Sequence, residues 1–256
     1  MRLSISSTNV NEWSGDVLVV GLPKGDPSST AGHLESRFPG VSSALSQQAF
    51  EGKTGQKLVL HPLTNGNPLR LVLVGLGDAD AIDLDGLRAA AAAGAQASIG
   101  CNGSLGLQLP WDSQDSDQAA RISAEAVRLS LYADQRFQKE PEDRRLPTAL
   151  ELIGLPASAA AGLESVNATC AGVELARELV AAPPNYVTPA ALADTAAALA
   201  RDYGMELTIL ERADCAARGM GAFLSVSQGS DLPPKFIHLI YRPEGAVKRR
   251  LALVGK

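Results

Sequence analysis

Short apolar runs alternate along this chain with longer stretches in which apolar residues recur at helical spacing. The apolar runs predict strands at residues 3–5, 16–20, 58–60, 69–74, 105–109, 149–153, 206–210 and 235–241. The longer stretches predict helices at residues 41–50, 83–99, 115–133, 158–182, 188–203 and 212–217. A repeated order of strand and helix is typical of an α/β domain, so the sequence predicts an α/β fold with a largely parallel sheet.

The long helix predicted at 158–182 is a candidate connector between two domains. It follows a complete set of strands, and Pro183 and Pro184 end it abruptly. The charged stretch 134–147 before it is predicted to be a solvated loop that approaches the domain boundary. We therefore divide the chain into an N-terminal α/β domain (1–155), a connecting helix (156–184) and the start of a second α/β unit (185–256).

Composition argues against several classes of protein. The formal net charge of −5 is spread without long runs, which argues against binding to nucleic acid or to a membrane surface. The three cysteines are far apart and form no CxxC pair, which is typical of reduced thiols in a cytosolic protein. The N-terminus has no apolar signal segment, and the alanine-rich stretch 89–97 is too short to span a bilayer. We expect a soluble, cytoplasmic protein.

Two glycine motifs resemble phosphate-binding loops but are incomplete. Gly75-Leu76-Gly77 follows a predicted strand, yet Asp80 stands where a dinucleotide-binding motif has its third glycine. We interpret this segment as a tight turn between strand and helix, with dinucleotide binding as the weaker alternative. Gly52-Lys53-Thr54 has Gln47 where a phosphate loop begins with glycine, so we attribute that match to chance.

The chain contains no complete catalytic motif of a common type. Neither HExxH nor GxSxG occurs, and His33, His61 and His238 are isolated from one another. The final run, residues 251–256, has four apolar residues followed by glycine and Lys256. Such a run predicts a buried parallel strand that reaches its carboxyl end, where ligands bind in open α/β sheets. We therefore expect this chain to be the front portion of a longer enzyme.

Three sequence blocks in the second half are similar to a known family. They are Ala-Arg-Glu-Leu-Val-Ala-Ala-Pro-Pro-Asn-Tyr-Val-Thr-Pro at 176–189, Gly-Met-Gly-Ala-Phe-Leu-Ser-Val-Ser-Gln-Gly-Ser at 219–230 with its continuation to Tyr241, and Leu-Val-Gly-Lys at 253–256. In this order and spacing they resemble the leucyl aminopeptidase (cytosol aminopeptidase) family of dinuclear metallopeptidases. The family usually has an asparagine where Ala181 and Ala182 precede the prolines, which we interpret as a difference at a packing or hinge position.

The resemblance implies a two-domain protein. The N-terminal domain would be of the macro-like α/β type, followed by the incomplete start of a mostly parallel α/β metallopeptidase domain. Family members are hexamers in the cytoplasm that remove N-terminal residues, often leucine, from peptides with a free N-terminus. They use two divalent metal ions, usually zinc, with manganese, magnesium or cobalt able to occupy one site.

The resemblance also implies that Lys256 is a metal ligand. A lysine binds a metal only through its neutral amine, so this role requires an assembled site. The remaining carboxylate ligands and the catalytic lysine and arginine of the family would lie beyond Lys256. We therefore assign no catalytic residue within this chain, and we give Asn185, Gln228 and Ser230 turn and capping roles instead. We expect the chain alone to bind no metal and to be inactive.

Two further interpretations remain open. The first ~150 residues could form a non-catalytic, macro-like binding or oligomer-assembly module. The chain could also be an inactive regulatory relative that ends naturally at Lys256, although an uncovered terminal strand argues against this.

Overall fold

The computed structural model of the chain describes residues 1–62, 68–112, 114–140 and 143–255. The chain divides into two compact units, Met1–Glu178 and Leu179–Lys256. The turn-forming residues Asn-Gly-Asn-Pro at 65–68 predict a turn between the predicted strands 58–60 and 69–74, and residues 65–67 lie outside the described residues. Each unit is built from alternating strands and helices, which confirms the predicted α/β class.

A six-stranded sheet forms the centre of the first unit. Its strands are β1 (Arg2–Ser6), β2 (Val17–Leu22), β3 (Lys57–Leu60), β4 (Arg70–Gly75), β5 (Ser104–Gln108) and β6 (Ala149–Ile153). Their order in the sheet is β1-β6-β5-β2-β4-β3, and all neighbours are parallel except β3 and β4, which are antiparallel. The largely parallel sheet predicted from the sequence is confirmed.

Helices lie on both faces of this sheet. They are the α-helices α1 (Pro27–Thr30), α2 (Val41–Gln47), α3 (Leu84–Ala97) and α4 (Ser116–Leu131) and the 3₁₀ helices Gly32–Leu34, Ala79–Ala81 and Ala157–Leu163. Successive side chains of a strand point to opposite faces, and helices cover both faces of β2, so all six of its residues are buried. Val17 and Val19 pack with α3 and α4, whereas Leu18 and Val20 pack with α2 on the other face.

Side chains fix the ends of the main helices. Asp83 and Asp115 are the N-cap residues of α3 and α4, and each carboxylate accepts a hydrogen bond from the amide three residues on. At the other end of α3, Arg70 donates hydrogen bonds to the carbonyl oxygens of Ala97 and Ile99. Gly100 follows with φ of 92°, a conformation that favours glycine. The predicted starts of these two helices are confirmed, and each helix ends two residues before its predicted end, at Ala97 and at Leu131.

The single helix predicted at 158–182 is wrong in one respect. The segment forms the 3₁₀ helix Ala157–Leu163 and then, after a break, α5 (Val166–Ala181). A Cβ added at Gly162 would lie 2.2 Å from the carbonyl oxygen of Asp117 on α4. The 3₁₀ helix therefore packs its backbone directly on α4, a tertiary contact that helical periodicity along the sequence cannot reveal.

The second unit contains α6 (Pro189–Tyr203), β7 (Glu206–Leu210), α7 (Arg212–Ala217), α8 (Gly221–Val226) and β8 (Phe236–Ile240). Strands β7 and β8 pair antiparallel. The Thr188 side chain accepts a hydrogen bond from the amide of Ala191, and Gly204 ends α6 with φ of 63°, so the helix predicted at 188–203 is confirmed. Helix α8 was not predicted from the sequence.

The strand predicted at 251–254 is absent. Residues 251–255 have no regular secondary structure, and the side chains of Leu251, Leu253 and Val254 are 85–97% exposed. An apolar run becomes a strand only when a neighbouring strand supplies hydrogen-bond partners and another layer covers its side chains. No described residue pairs with this run.

Candidate functional site

The first of the three sequence blocks forms a tight connection between α5 and α6. The carbonyl oxygen of Pro183 accepts hydrogen bonds from the amides of Tyr186 and Val187, at 2.8 and 3.0 Å. Thr188 then caps α6, and Asn185 is exposed at the turn. The block is a helix-to-helix turn whose prolines stop one helix and start the next.

The second block forms α8 and the turn after it. Gly219 has φ of 69° and precedes Met220, the N-cap residue of α8. Beyond the helix, the Ser230 hydroxyl accepts a hydrogen bond from the amide of Leu232 at 3.1 Å, while Gln228 is exposed. These contacts are turn chemistry, as expected for the polar residues of this block.

Two ion pairs and one aromatic contact connect the elements of the second unit. Arg242 pairs with Glu206 of β7, and its hydrogen bond to the Glu206 side chain lowers the pKa of that carboxyl. Lys235 pairs with Glu211 at the start of α7. The ring of Phe223 on α8 packs edge-on against the ring of Phe236 on β8, with 5.8 Å between the ring centroids. Two surface ion pairs and one aromatic contact therefore connect these elements of the second unit.

Lys256, the residue to which the resemblance assigns a metal, lies outside the described residues. Within residues 1–62, 68–112, 114–140 and 143–255, no group of three or more histidine, cysteine, aspartate or glutamate side chains is placed to hold a metal ion. The three histidines lie apart, at a 3₁₀ helix of the first unit (His33), after β3 (His61) and on β8 (His238). The metal role of Lys256 stays a prediction.

The two glycine motifs singled out in the sequence pack on each other. A Cβ added at Gly75 would lie 2.2 Å from the carbonyl oxygen of Lys53, so only glycine permits this approach. The amide of Gly77 donates to the oxygen of Gly52 at 2.8 Å, and the amide of Lys24 donates to the oxygen of Gly77 at 2.7 Å. These amides are already used within the chain, so they form no cradle for a phosphate.

A third feature was missed by the sequence analysis, which treated 134–147 as a solvated loop. A groove of about 440 Å³ opens at the end of α4, and its polar lining includes Tyr132, Gln135, Arg144 and Glu178. Beside it, Arg128 binds Glu174 through two hydrogen bonds of 2.9 and 2.7 Å, which fastens α5 to α4. The many charged residues of 134–147 are evident in the sequence, but only the fold shows that this stretch lies against α4 and α5.

No described helix combines the length and apolarity that a membrane span requires.

Comparison with known proteins places both units in one family. Residues 19–141 match the model of the cytosol aminopeptidase family, N-terminal domain, and residues 174–256 match the model of the catalytic domain of the same family. A probable cytosol aminopeptidase of Synechococcus sp. (strain CC9902) is 91% identical over all 256 residues, and one of Prochlorococcus marinus (strain MIT 9313) is 56% identical. The chain spans about half, 52%, of the length of each of these relatives.

Solved structures give the same assignment. A mutant of tomato leucine aminopeptidase matches 97% of this chain and 52% of its own, with a TM-score of 0.87 and 29% identity. The bottromycin maturation enzyme BotP, in complex with Mn, matches 90% of this chain and 46% of its own, with a TM-score of 0.68 and 29% identity. From the two family models, the relatives and this fold, the chain belongs to the cytosol aminopeptidase family.

Proposed function

We propose that this chain is part of a metal-dependent aminopeptidase that releases N-terminal residues, leucine preferred, from peptides with a free N-terminus. One observation carries the proposal. The match to tomato leucine aminopeptidase runs through 97% of the chain, across the residues of both family models. The curated relatives that bear the same activity in their names are about twice as long as this chain.

The proposed activity uses two divalent metal ions, zinc or, in one site, manganese or magnesium. The structure of BotP in complex with Mn supports a metal in a related protein. The described residues of this chain do not by themselves fit a dinuclear site, because they contain no cluster of metal-binding side chains. We propose that Lys256 supplies one ligand and that the others are carboxylates from outside these 256 residues.

The 256-residue chain alone is then expected to be inactive, since a single ligand cannot hold two metal ions. The experiment is an assay of the purified chain with leucine p-nitroanilide in the presence of Mn²⁺ or Zn²⁺. A full-length relative, prepared in parallel, is the positive control. We expect turnover by the relative and none by the chain. Turnover by the chain that survives further purification would contradict the proposed division of ligands.

The same proposal covers location and assembly. We propose a cytoplasmic homo-hexamer with no nucleic-acid or membrane partner, which accords with the name of the relatives and with the net charge of −5. Light scattering on the full-length protein tests the hexamer. A monomer or a dimer at micromolar concentration would contradict it.

A second candidate function is a non-catalytic role for the first unit, as a macro-like binding or oligomer-assembly module. This unit is compact and has its own sheet, as expected of a separate module. The glycine loops Gly52–Thr54 and Gly75–Gly77 bind each other, which argues against a nucleotide ligand at that edge. Titration of the chain with ADP-ribose separates the two roles. Heat of binding would favour a ligand-binding module, whereas the absence of heat would favour the role in oligomer assembly.

A further inference from the structure

The groove at the end of α4 is lined by both apolar and polar residues. Leu131 and Leu146 contribute apolar surface, and Tyr132, Arg144 and Glu178 contribute polar groups. All of these residues belong to the first unit. The volume of about 440 Å³ lies within the range of roughly 300–1,000 Å³ that is usual for small-molecule sites.

Two of the polar groups have unused hydrogen-bonding capacity. The hydroxyl of Tyr132 is buried and makes no hydrogen bond within the described residues. The guanidinium of Arg144 makes no hydrogen bond or ion pair with the part of the chain that the structure describes. Buried polar groups are almost always paired, so an orphan hydroxyl beside a cavity indicates a partner that enters from outside.

The hydroxyl of Tyr132 is a donor at neutral pH. Burial, followed by the nearby charges of Asp134 and Glu178, raises the pKa of Tyr132. The guanidinium of Arg177 lies over the tyrosine ring, 5.6 Å from its centroid, and donates to the carbonyl oxygen of Leu129 at 2.9 Å. The ring is thereby held in place, and Tyr132 and Arg144 together offer donors suited to a carboxylate.

The groove also holds one carboxylate that is only loosely paired. Arg136 donates to Asp134 at 2.7 Å and to the main-chain oxygen of Glu178 at 2.7 Å, whereas its distance to the Glu178 carboxylate is 3.7 Å. Glu174, the other acidic residue of the lining, is bound by Arg128 through two short hydrogen bonds. Glu178 is therefore the acidic group best able to accept hydrogen bonds from a ligand.

We propose that this groove binds a free α-amino acid with an apolar side chain. The ligand carboxylate contacts Arg144 and the hydroxyl of Tyr132, its ammonium contacts Glu178, and its side chain lies on Leu131 and Leu146. A ligand with several negative charges is disfavoured because Glu174 and Glu178 would repel it. The inference rests on the groove alone and goes beyond the proposed peptidase activity, which could fail without affecting it.

Calorimetric titration of the 256-residue chain with L-leucine tests the proposal. EDTA is present throughout, so binding at any metal centre does not contribute. We expect saturable binding, weakened about tenfold or more for leucinamide, which lacks the carboxylate, and for 4-methylpentanoate, which lacks the ammonium. No heat at millimolar leucine, or equal binding of all three compounds, would overturn the proposal.

Substitutions locate the site. Arg144→Ala and Glu178→Gln should each weaken leucine binding about tenfold or more, whereas Arg145→Ala, an exposed neighbour outside the groove lining, should leave it unchanged. Tyr132→Phe keeps the ring and removes only the orphan hydroxyl. In the absence of leucine, this variant should therefore melt at the same temperature as the parent chain or higher. Added leucine should raise the melting temperature of the variant less than that of the parent. Parent-like binding by Arg144→Ala would show that the groove is not the site.

Discussion

The guanidinium of Arg128 on α4 donates two hydrogen bonds to the carboxylate of Glu174 on α5, from Nε to Oε1 at 2.9 Å and from Nη2 to Oε2 at 2.7 Å. The remaining Nη1 donates to the side-chain oxygen of Asn167 at 2.8 Å. Only Val166 and Cys170 of α5 are buried, so polar contacts carry much of the attachment of this helix.

Arg128→Ala should lower the free energy of unfolding of the first unit by about 1–3 kcal/mol. Both side chains of the pair are about four-fifths covered, so the loss leaves Glu174 partly desolvated without a partner. The measurement is urea unfolding followed by tryptophan fluorescence. Both tryptophans of the chain, Trp13 and Trp111, are buried in the first unit, so the signal reports that unit.

Arg88→Ala is the matched control. Arg88 pairs with Asp85 on α3, but the two side chains are 50% and 81% exposed, and exposed pairs contribute at most about 0.5–1 kcal/mol. An equal loss of stability in both variants would show that the partial burial of the Arg128 pair has no energetic consequence.

The carboxyl of Asp134 should titrate at about pH 2. Its hydrogen bonds with the side chain and the amide of Arg136 lower its pKa from 3.8 to about 2. A lowered pKa in the folded state means that the contact stabilises the fold fully above about pH 4 and loses this contribution as the pH falls toward 2. Carboxyl ¹³C chemical shifts, followed by NMR between pH 1.5 and 6, measure the midpoint.

Arg136→Ala should move this midpoint back toward 3.8, because the side-chain hydrogen bond is the largest cause of the shift. A midpoint near 3.8 in the parent chain would show that the contact with Arg136 is not kept in solution.

Gly75→Ala should destabilise the first unit by about 1–3 kcal/mol, since the added methyl group meets the carbonyl oxygen of Lys53 at 2.2 Å and the backbone has to move. Gly172→Ala is the control. Gly172 lies within α5 with open space around it, so alanine should leave stability unchanged or raise it by up to about 1 kcal/mol. The same tryptophan-detected urea unfolding compares them, and a stable Gly75→Ala would refute the close packing of the two glycine loops.

Thr188→Ala should make the first turn of α6 open more often. The Thr188 hydroxyl accepts a hydrogen bond from the amide of Ala191 at 3.2 Å, and the loss of an N-cap costs about 1 kcal/mol. Amides of the first turn of α6 should then exchange about five times faster, measured by hydrogen exchange and mass spectrometry.

Thr195→Ala serves as its control. Thr195 lies in the interior of α6 and donates back to the carbonyl oxygen of Ala191, a contact that contributes little to a helix. Its exchange should match the parent or slow slightly. Equal acceleration in both variants would argue against a specific capping role for Thr188.

Local chemistry by itself determined much of the first unit and the caps of the second. The continuous apolar run of β2 is typical of a strand that is buried on both faces. Asp83, Asp115 and Thr188 mark helix starts because their side chains accept hydrogen bonds from amides within the next turn. These signals act over a few residues, so the sequence carries them in full. The three blocks of the second half likewise indicated the family before any fold was known.

The tertiary structure decided what depends on distant partners. The segment predicted as one helix begins instead as a 3₁₀ helix, whose Gly162 lies against the backbone of Asp117. The apolar run 251–254 stays irregular because no described strand pairs with it. The groove of Tyr132, Arg144 and Glu178 likewise needs α4, a loop and α5 to meet. A pattern along the chain specifies which groups a segment offers, but only the fold determines which groups it meets.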